Sequence, residues 1–324
     1  MTNRKCHIRL WFLLAAGLLT GCTADTPVPE DTPKEIQFEV STASQTEATR
    51  VATLYESTTA LQSEMTHGGE GSNYIHVDAY LDGTTTKYID NSRIFYFNGA
   101  SSWRFANASG NIIHFYWPMD DAYLNFLAYA PLDLTYTGVT IGTYTDRHPT
   151  FNCDLPITNN QTYANGTINM KEFIYSYVTG KNKSNDGESA VPLGFIHPFA
   201  AVYLKVDKAK QRMALNNVTF KRIYKKGTGA YNSTGPTTGW TPDTSDGTAD
   251  FTLTIGKTMG TDMFTGDTYG PFIVMPQNMT GRAGLDDIKM IVNYTPYGGS
   301  ATNSAEATIT SETSTTWVAG KKYT

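Results

Sequence analysis

Between Tyr123 and Pro131 the chain reads Tyr-Leu-Asn-Phe-Leu-Ala-Tyr-Ala-Pro, apolar at both odd and even positions. A run this short, bounded by proline and rich in aromatic and aliphatic residues, predicts a strand. Neighbouring side chains on a strand point to opposite faces, so this strand needs cover on both.

Simpler alternation surrounds it. Ile36, Phe38 and Val40 alternate with Gln37, Glu39 and Ser41, which predicts a half-buried strand over about 35–41. Ile75, Val77, Ala79 and Leu81 lead to Asp82-Gly83, and Ile94 to Phe97 runs into Asn98-Gly99, two hairpin-type turn pairs. Ile112 to Trp117 predicts a denser strand closed by Pro118, and Phe173 to Val178 another. Residues 180–190 (Gly, Lys, Asn, Ser, Asp and Glu) read as a linker. Beyond it, Ala200, Val202, Leu204 and Val206 keep a period of two. Val218 to Tyr224, Phe251 to Ile255, Phe272 to Met275 and Ile288 to Tyr294 follow. Residues 227–247, crowded with Gly, Pro and Thr, predict turns and loop. Helical periodicity is scarce, with only short candidates such as Ala209 to Leu215, and there is no fixed repeat. The pattern predicts an all-β chain of antiparallel β-sandwich domains.

The N-terminus has a different character. Arg4, Lys5 and Arg9 precede an apolar run from Leu10 to Leu19, then Leu19-Thr20-Gly21-Cys22. A short apolar core behind a basic start is an export signal, and small residues before a cysteine make a bacterial lipoprotein cleavage site. Residues 1–21 are therefore the expected signal peptide, with Cys22 lipidated. Residues 22–34, with prolines at 27, 29 and 33, form an extended polar tether. The rest divides into an N-terminal sandwich over 35–188 and a C-terminal one over 189–324, a size suited to two domains.

Charge and chemistry narrow the function. Cleavage before Cys22 removes three cations and no acids, leaving a net charge of about −8. No basic stretch remains to track a phosphate backbone, so nucleic acid is not an expected partner. Of the three cysteines only Cys153 is left, which excludes a disulfide framework and reads as a small buried hydrophobe. His67, His76, His114, His148 and His197 show no metal-binding spacing, although His76 and His114 fall on predicted strands. There is no nucleophile elbow, phosphate loop or dinucleotide fingerprint. Asp120-Asp121 and Asp286-Asp287 read as turn acids, since neighbours on a strand diverge. Trp103 and Trp240 lie in polar, small-residue surroundings. Each reads as a loop tryptophan tucked onto its own sandwich, with stacking on a sugar ring as the alternative. No catalytic residue, metal site or cofactor is expected.

Four segments together resemble the fimbrillin family, the FimA-like and Mfa-like pilins of type V pili. They are Ile36-Gln-Phe-Glu-Val40 with Thr49-Arg50; Tyr116-Trp117-Pro118 leading to Leu124-Asn-Phe126-Leu-Ala128-Tyr129-Ala-Pro131; Pro192-Leu193-Gly-Phe195-Ile-His197-Pro-Phe199-Ala200 with Leu204-Lys-Val206; and Phe272-Ile-Val-Met-Pro276-Gln277 with Trp317-Val-Ala-Gly320-Lys-Lys-Tyr323. The resemblance implies two tandem transthyretin-like sandwiches and export as a surface-exposed outer-membrane lipoprotein. It also implies assembly by strand exchange, in which an arginine-specific protease removes the first strand and another subunit's strand fills the groove. The matching cut follows Arg50, with Ile36, Phe38 and Val40 as the plug. The implied function is a pilus subunit or an accessory tip or anchor subunit, with other pilin subunits and a host or bacterial surface ligand as partners. Family members carry a further alternating strand after the Trp-x-x-Gly-x-x-Tyr segment. Here Thr324 falls where that strand begins, which leaves open a longer chain, another mode of donation, or a tip, anchor or stand-alone role. The alternative function is a monomeric glycan-binding surface lipoprotein using Trp103 or Trp240.

Overall fold

The computed structural model describes residues 32–42, 57–66, 74–107, 109–135, 137–145, 148–155, 161–162, 172–205, 213–230, 241–243, 245, 248–255, 268–281, 286–309 and 315–324. Within them, in chain order, lie β1 (Phe38–Thr42), α1 (Thr58–Glu64), β2 (Ile75–Leu81), β3 (Lys87–Phe97), β4 (Ser102–Ala106), β5 (Leu124–Ala130), β6 (Val139–Thr145), β7 (His148–Asp154), β8 (Gln161–Thr162) and β9 (Ile174–Lys181). Then come α2 (Lys183–Asp186), β10 (Val191–Phe195), β11 (Ala200–Lys205), β12 (Met213–Ile223), β13 (Lys226–Ala230), β14 (Thr241–Pro242), β15 (Ala249–Thr254) and β16 (Thr268–Val274). The last are β17 (Gln277–Asn278), β18 (Lys289–Pro296), β19 (Asn303–Thr308), β20 (Thr316–Trp317) and β21 (Lys322–Tyr323). The architecture is all-β, with sheets ordered β4-β3-β2-β5-β9, β1-β10, β14-β13-β7-β6, β19-β18-β12-β15-β8, β16-β11-β21 and β17-β20.

Strand β5 is the doubly apolar run, and all seven of its residues are buried. Its two parities feed two different cores. Leu124, Phe126, Ala128 and Ala130 join Ile75, Val77, Ala79 and Ile174 in the first core, capped by β1 and β10. Leu127 and Tyr129 face the other way, into the second core with Tyr175 and Tyr177. Strands β6 and β7 cover that face. The Tyr144 ring stacks on Tyr80 at 3.7 Å, its hydroxyl meets Tyr177 at 3.2 Å, and Phe151 packs beside Phe173 and Tyr175. Asn125, the one polar residue inside the run, is fully buried and fully used. It donates to Asp82 at 2.8 Å and to the Tyr144 hydroxyl at 3.3 Å, and accepts from the Gly180 N–H at 2.9 Å. A buried amide is tolerable only on such terms.

The second core centres on aromatic edges. Phe272 meets Phe220 and Phe251 at 5.1 Å each, and Trp317 meets Phe220 at 6.0 Å. The strands that enclose it are not contiguous in sequence: β7 pairs with β13, and β8 with β15. Conversely β10, beyond residue 188, pairs with β1 and lines the first core. The chain passes from the first core to the second between Phe195 and Phe199.

Local chemistry explains several departures from simple patterning. The Asp82-Gly83 turn forms, with Gly83 at φ 72°. Asn98-Gly99 lies in the β3–β4 connection, where Ser101 takes the positive φ of 48°. Residues 112–117 form no regular strand. They run extended, bridged to Ala106 through Ile112 and to Glu35 through Tyr116, because each end has a different partner. The 180–190 segment contains α2, capped by Asn182, whose side chain donates to Asp121 at 3.1 Å, while the Ser184 N–H donates to Asp121 at 2.8 Å. The Asp121 side chain therefore holds the start of α2. The short helical candidate Ala209 to Leu215 ends in β12, since Met213 to Leu215 pair with β18.

Candidate functional site

The first strand and its groove unite the sequence-predicted site residues that the structure describes. Ile36, Phe38 and Val40 are 1%, 6% and 4% exposed, while Gln37 and Glu39 face solvent. Alternation therefore places one parity in the first core. The Phe38 ring meets Phe105 edge-on at 5.0 Å and Phe126 at 5.7 Å.

Two sets of backbone bonds hold the segment. At its start the Ile36 N–H donates to the Phe115 carbonyl at 2.8 Å, and the Trp117 N–H donates to the Lys34 carbonyl at 2.9 Å. Further on, the Val191 N–H donates to the Gln37 carbonyl at 2.7 Å, opening a parallel ladder that aligns Phe38 with Val191, Val40 with Leu193 and Thr42 with Phe195. Strand β1 thus sits in a two-stranded sheet rather than inside the five-stranded one. A Lys34–Glu188 ion pair and a His114–Glu35 contact at 2.7 Å flank the entry.

At the far end lies a polar lock. The Thr42 hydroxyl is 3.3 Å from His197 Nε2, and His197 Nδ1 is 2.5 Å from Glu172 Oε1. The His197 and Glu172 side chains are both buried, at 2% and 5% exposure. Sequence patterning gave no reason to unite these three residues, because they come together across gaps of 155 and 25 positions. The available signal was parity: Thr42 continues the inward series Ile36, Phe38, Val40.

A second buried polar group lies on β2 and β3. Asp78 accepts from the Asn91 N–H at 2.7 Å and pairs with His76 at 3.1 Å and Lys87 at 3.0 Å, while the His76 ring stacks on Tyr129 at 4.2 Å. Burial opposes ionisation of Asp78, but His76, the Asn91 N–H and Lys87 together hold its carboxyl below the usual value. Burial and the Asp78 charge push Tyr129 up to about 12. His76 and His114 are engaged separately and share no site.

Trp103 lies in β4 at 7% exposure, its ring against the edge of Tyr96 at 5.5 Å, so it presents no open face to a sugar. Cys153 lies within β7, buried at 4% exposure, and burial pushes its thiol up. Cys22, Arg50, His67 and Trp240 lie outside the described residues.

The class these features define is an all-β chain whose N-terminal strand plugs its own first core. The sequence matches the model of the fimbrillin-like family over residues 35–324. The chain belongs to that family, which makes it pilus-associated by family, and the family is in general not enzymatic. A comparison with curated proteins found no match. Among solved structures, a Bacteroides uniformis protein whose name proposes a role in cell adhesion is 17% identical, with 91% of each chain covered and a TM-score of 0.48. A Bacteroides ovatus protein similarly named is 17% identical, covering 85% of this chain and 86% of that one, at a TM-score of 0.43. The tip fimbrial protein Mfa3 of Porphyromonas gingivalis, with a C-terminal truncation, is 12% identical over 74% of this chain and 77% of its own, at 0.32.

Proposed function

We propose that this chain is a pilus subunit, or an accessory tip or anchor subunit, that reaches the outer membrane as a lipoprotein lipidated at Cys22 and assembles by strand exchange after cleavage at Arg50. The observation that carries the reading is the plug. Residues 34–42 fill the first core with three apolar side chains, yet among the described residues β1 is bonded into a two-stranded sheet with β10 alone. Burial of Ile36, Phe38 and Val40 contributes about 5–8 kcal/mol.

The segment is separable in principle from the rest of the chain. Downstream of Arg50, α1 touches the plug through the Thr42 N–H, which donates to Thr58 Oγ1 at 3.4 Å, but it also has anchors elsewhere: Leu61 and Met65 are fully buried, and the Tyr96 N–H donates to the Met65 carbonyl at 2.9 Å. Loss of the plug would leave the Phe115 carbonyl and the Val191 N–H without their strand and open an apolar groove. An incoming strand of the same alternation restores both, which is strand addition. Because one parity is buried, register is well specified. Lipid, tether and plug then leave together, and the anchor acts as a transport device.

The test is treatment of the purified lipoprotein form with an arginine-specific protease, read by mass spectrometry and by gels in mild SDS. The expected result is a new N-terminus at Val51 and a ladder of SDS-resistant oligomers. An uncut chain with no ladder would overturn the reading.

A further inference from the structure

We infer that the groove selects its incoming strand by a polar requirement at the fourth inward position, set by His197 and Glu172. This inference rests on the strand-exchange reading and adds to it the chemistry of the partner. The inward series of the resident strand is Ile36, Phe38, Val40, Thr42, three apolar side chains and then a hydroxyl. The first three enter the aromatic core around Phe105 and Phe126. The fourth ends opposite Phe195, where its hydroxyl lies 3.3 Å from His197 Nε2.

His197 has no freedom to turn away. Its Nδ1 is held at 2.5 Å by Glu172, and the ring is buried. With Nδ1–H donated to the carboxylate, Nε2 of the neutral ring accepts a hydrogen bond, while Nε2 of the charged ring donates one. A hydroxyl serves either state, and a methyl serves neither. An apolar fourth residue would therefore leave a buried ring nitrogen unsatisfied, at a loss of about tenfold in affinity. The groove accordingly fits a strand that runs parallel to β10, with three alternate apolar residues followed by Thr or Ser. A strand that is apolar throughout matches the first three positions equally well and is disfavoured at the fourth.

The experiment uses protein clipped by an arginine-specific protease and fluorescently labelled peptides spanning residues 34–42, with binding read by anisotropy. The peptides are the native sequence, Thr42→Ser, Thr42→Val and Phe38→Ala. In parallel, Thr42→Val and Thr42→Ser are placed in the intact chain and unfolded with urea. The expected result is Ser within about twofold of native and Val about tenfold weaker, in both the peptide and the intact chain. Native and Val peptides that bind equally, with intact chains equally stable, overturn the fourth-position rule while leaving the groove in place. No binding by any peptide, the native one included, overturns the groove reading and the rule with it.

Discussion

Replacing Phe38 with alanine probes the plug most directly. The ring is 6% exposed and meets Phe105 and Phe126 edge-on at 5.0 and 5.7 Å. Its removal forfeits the transfer free energy of a phenyl group and leaves a cavity walled by β4 and β5, which cannot collapse because β5 is packed on both faces. Buried phenylalanine truncations of this kind cost about 3–5 kcal/mol. Part of that belongs to the edge-on contacts, at about 0.5–1.5 kcal/mol each beyond area. The neighbouring Glu39 points to solvent, and Glu39→Ala should stay within about 0.5 kcal/mol of the parent. Urea unfolding followed by tryptophan fluorescence suits the question, since Trp103 and Trp117 both lie in the first core. The expected midpoint shift for Phe38→Ala is roughly 1–2 M urea, with no measurable shift for Glu39→Ala. Equal midpoints for parent and Phe38→Ala, or an equal loss in both variants, would refute the claim that alternate residues of this strand plug the core.

Two further outcomes concern the buried polar and thiol groups. Asp78 titrates in the folded protein below its ordinary value of 3.8, so the stability it contributes is complete above that value and is lost as pH falls through the lower folded one. Asp78→Asn should be less stable than the parent at neutral pH, with the gap narrowing below pH 3.8, as read from urea midpoints across an acid series. A gap that stays constant with pH would rule out the Asp78 cluster as its source. Cys153 is buried, and burial raises its thiol further from the reactive thiolate. Peptide mapping after iodoacetamide should find Cys153 unlabelled in native protein and labelled after urea. Rapid labelling of the native form would contradict its burial in the second core.

Much of the first core was legible because its logic is local. Alternation at 36–40 and 75–81, and double-sided apolarity at 124–130, follow from the two-residue period of a strand. A side chain's face is decided by its own parity. The same holds for Asp82-Gly83, where glycine tolerates the positive φ of 72°. The 112–117 segment misled for an equally physical reason. It has the composition of a strand, but ladder pairing depends on what lies beside it, and its two ends have different neighbours.

Sequence alone therefore determined the all-β character, the inward parity of Ile36, Phe38 and Val40, and the two-faced burial of β5. Tertiary structure decided who pairs with whom. Strands β7 and β8 pair with strands far along the chain, and β10 turns back to hold β1 in parallel. It also brought Thr42, His197 and Glu172 into one line at the end of the plug. Parity can place a residue on a face from sequence, because the backbone period is set by covalent geometry. No local rule can say which distant carboxylate or imidazole will meet it there, because that contact exists only once separate segments have been packed to exclude water.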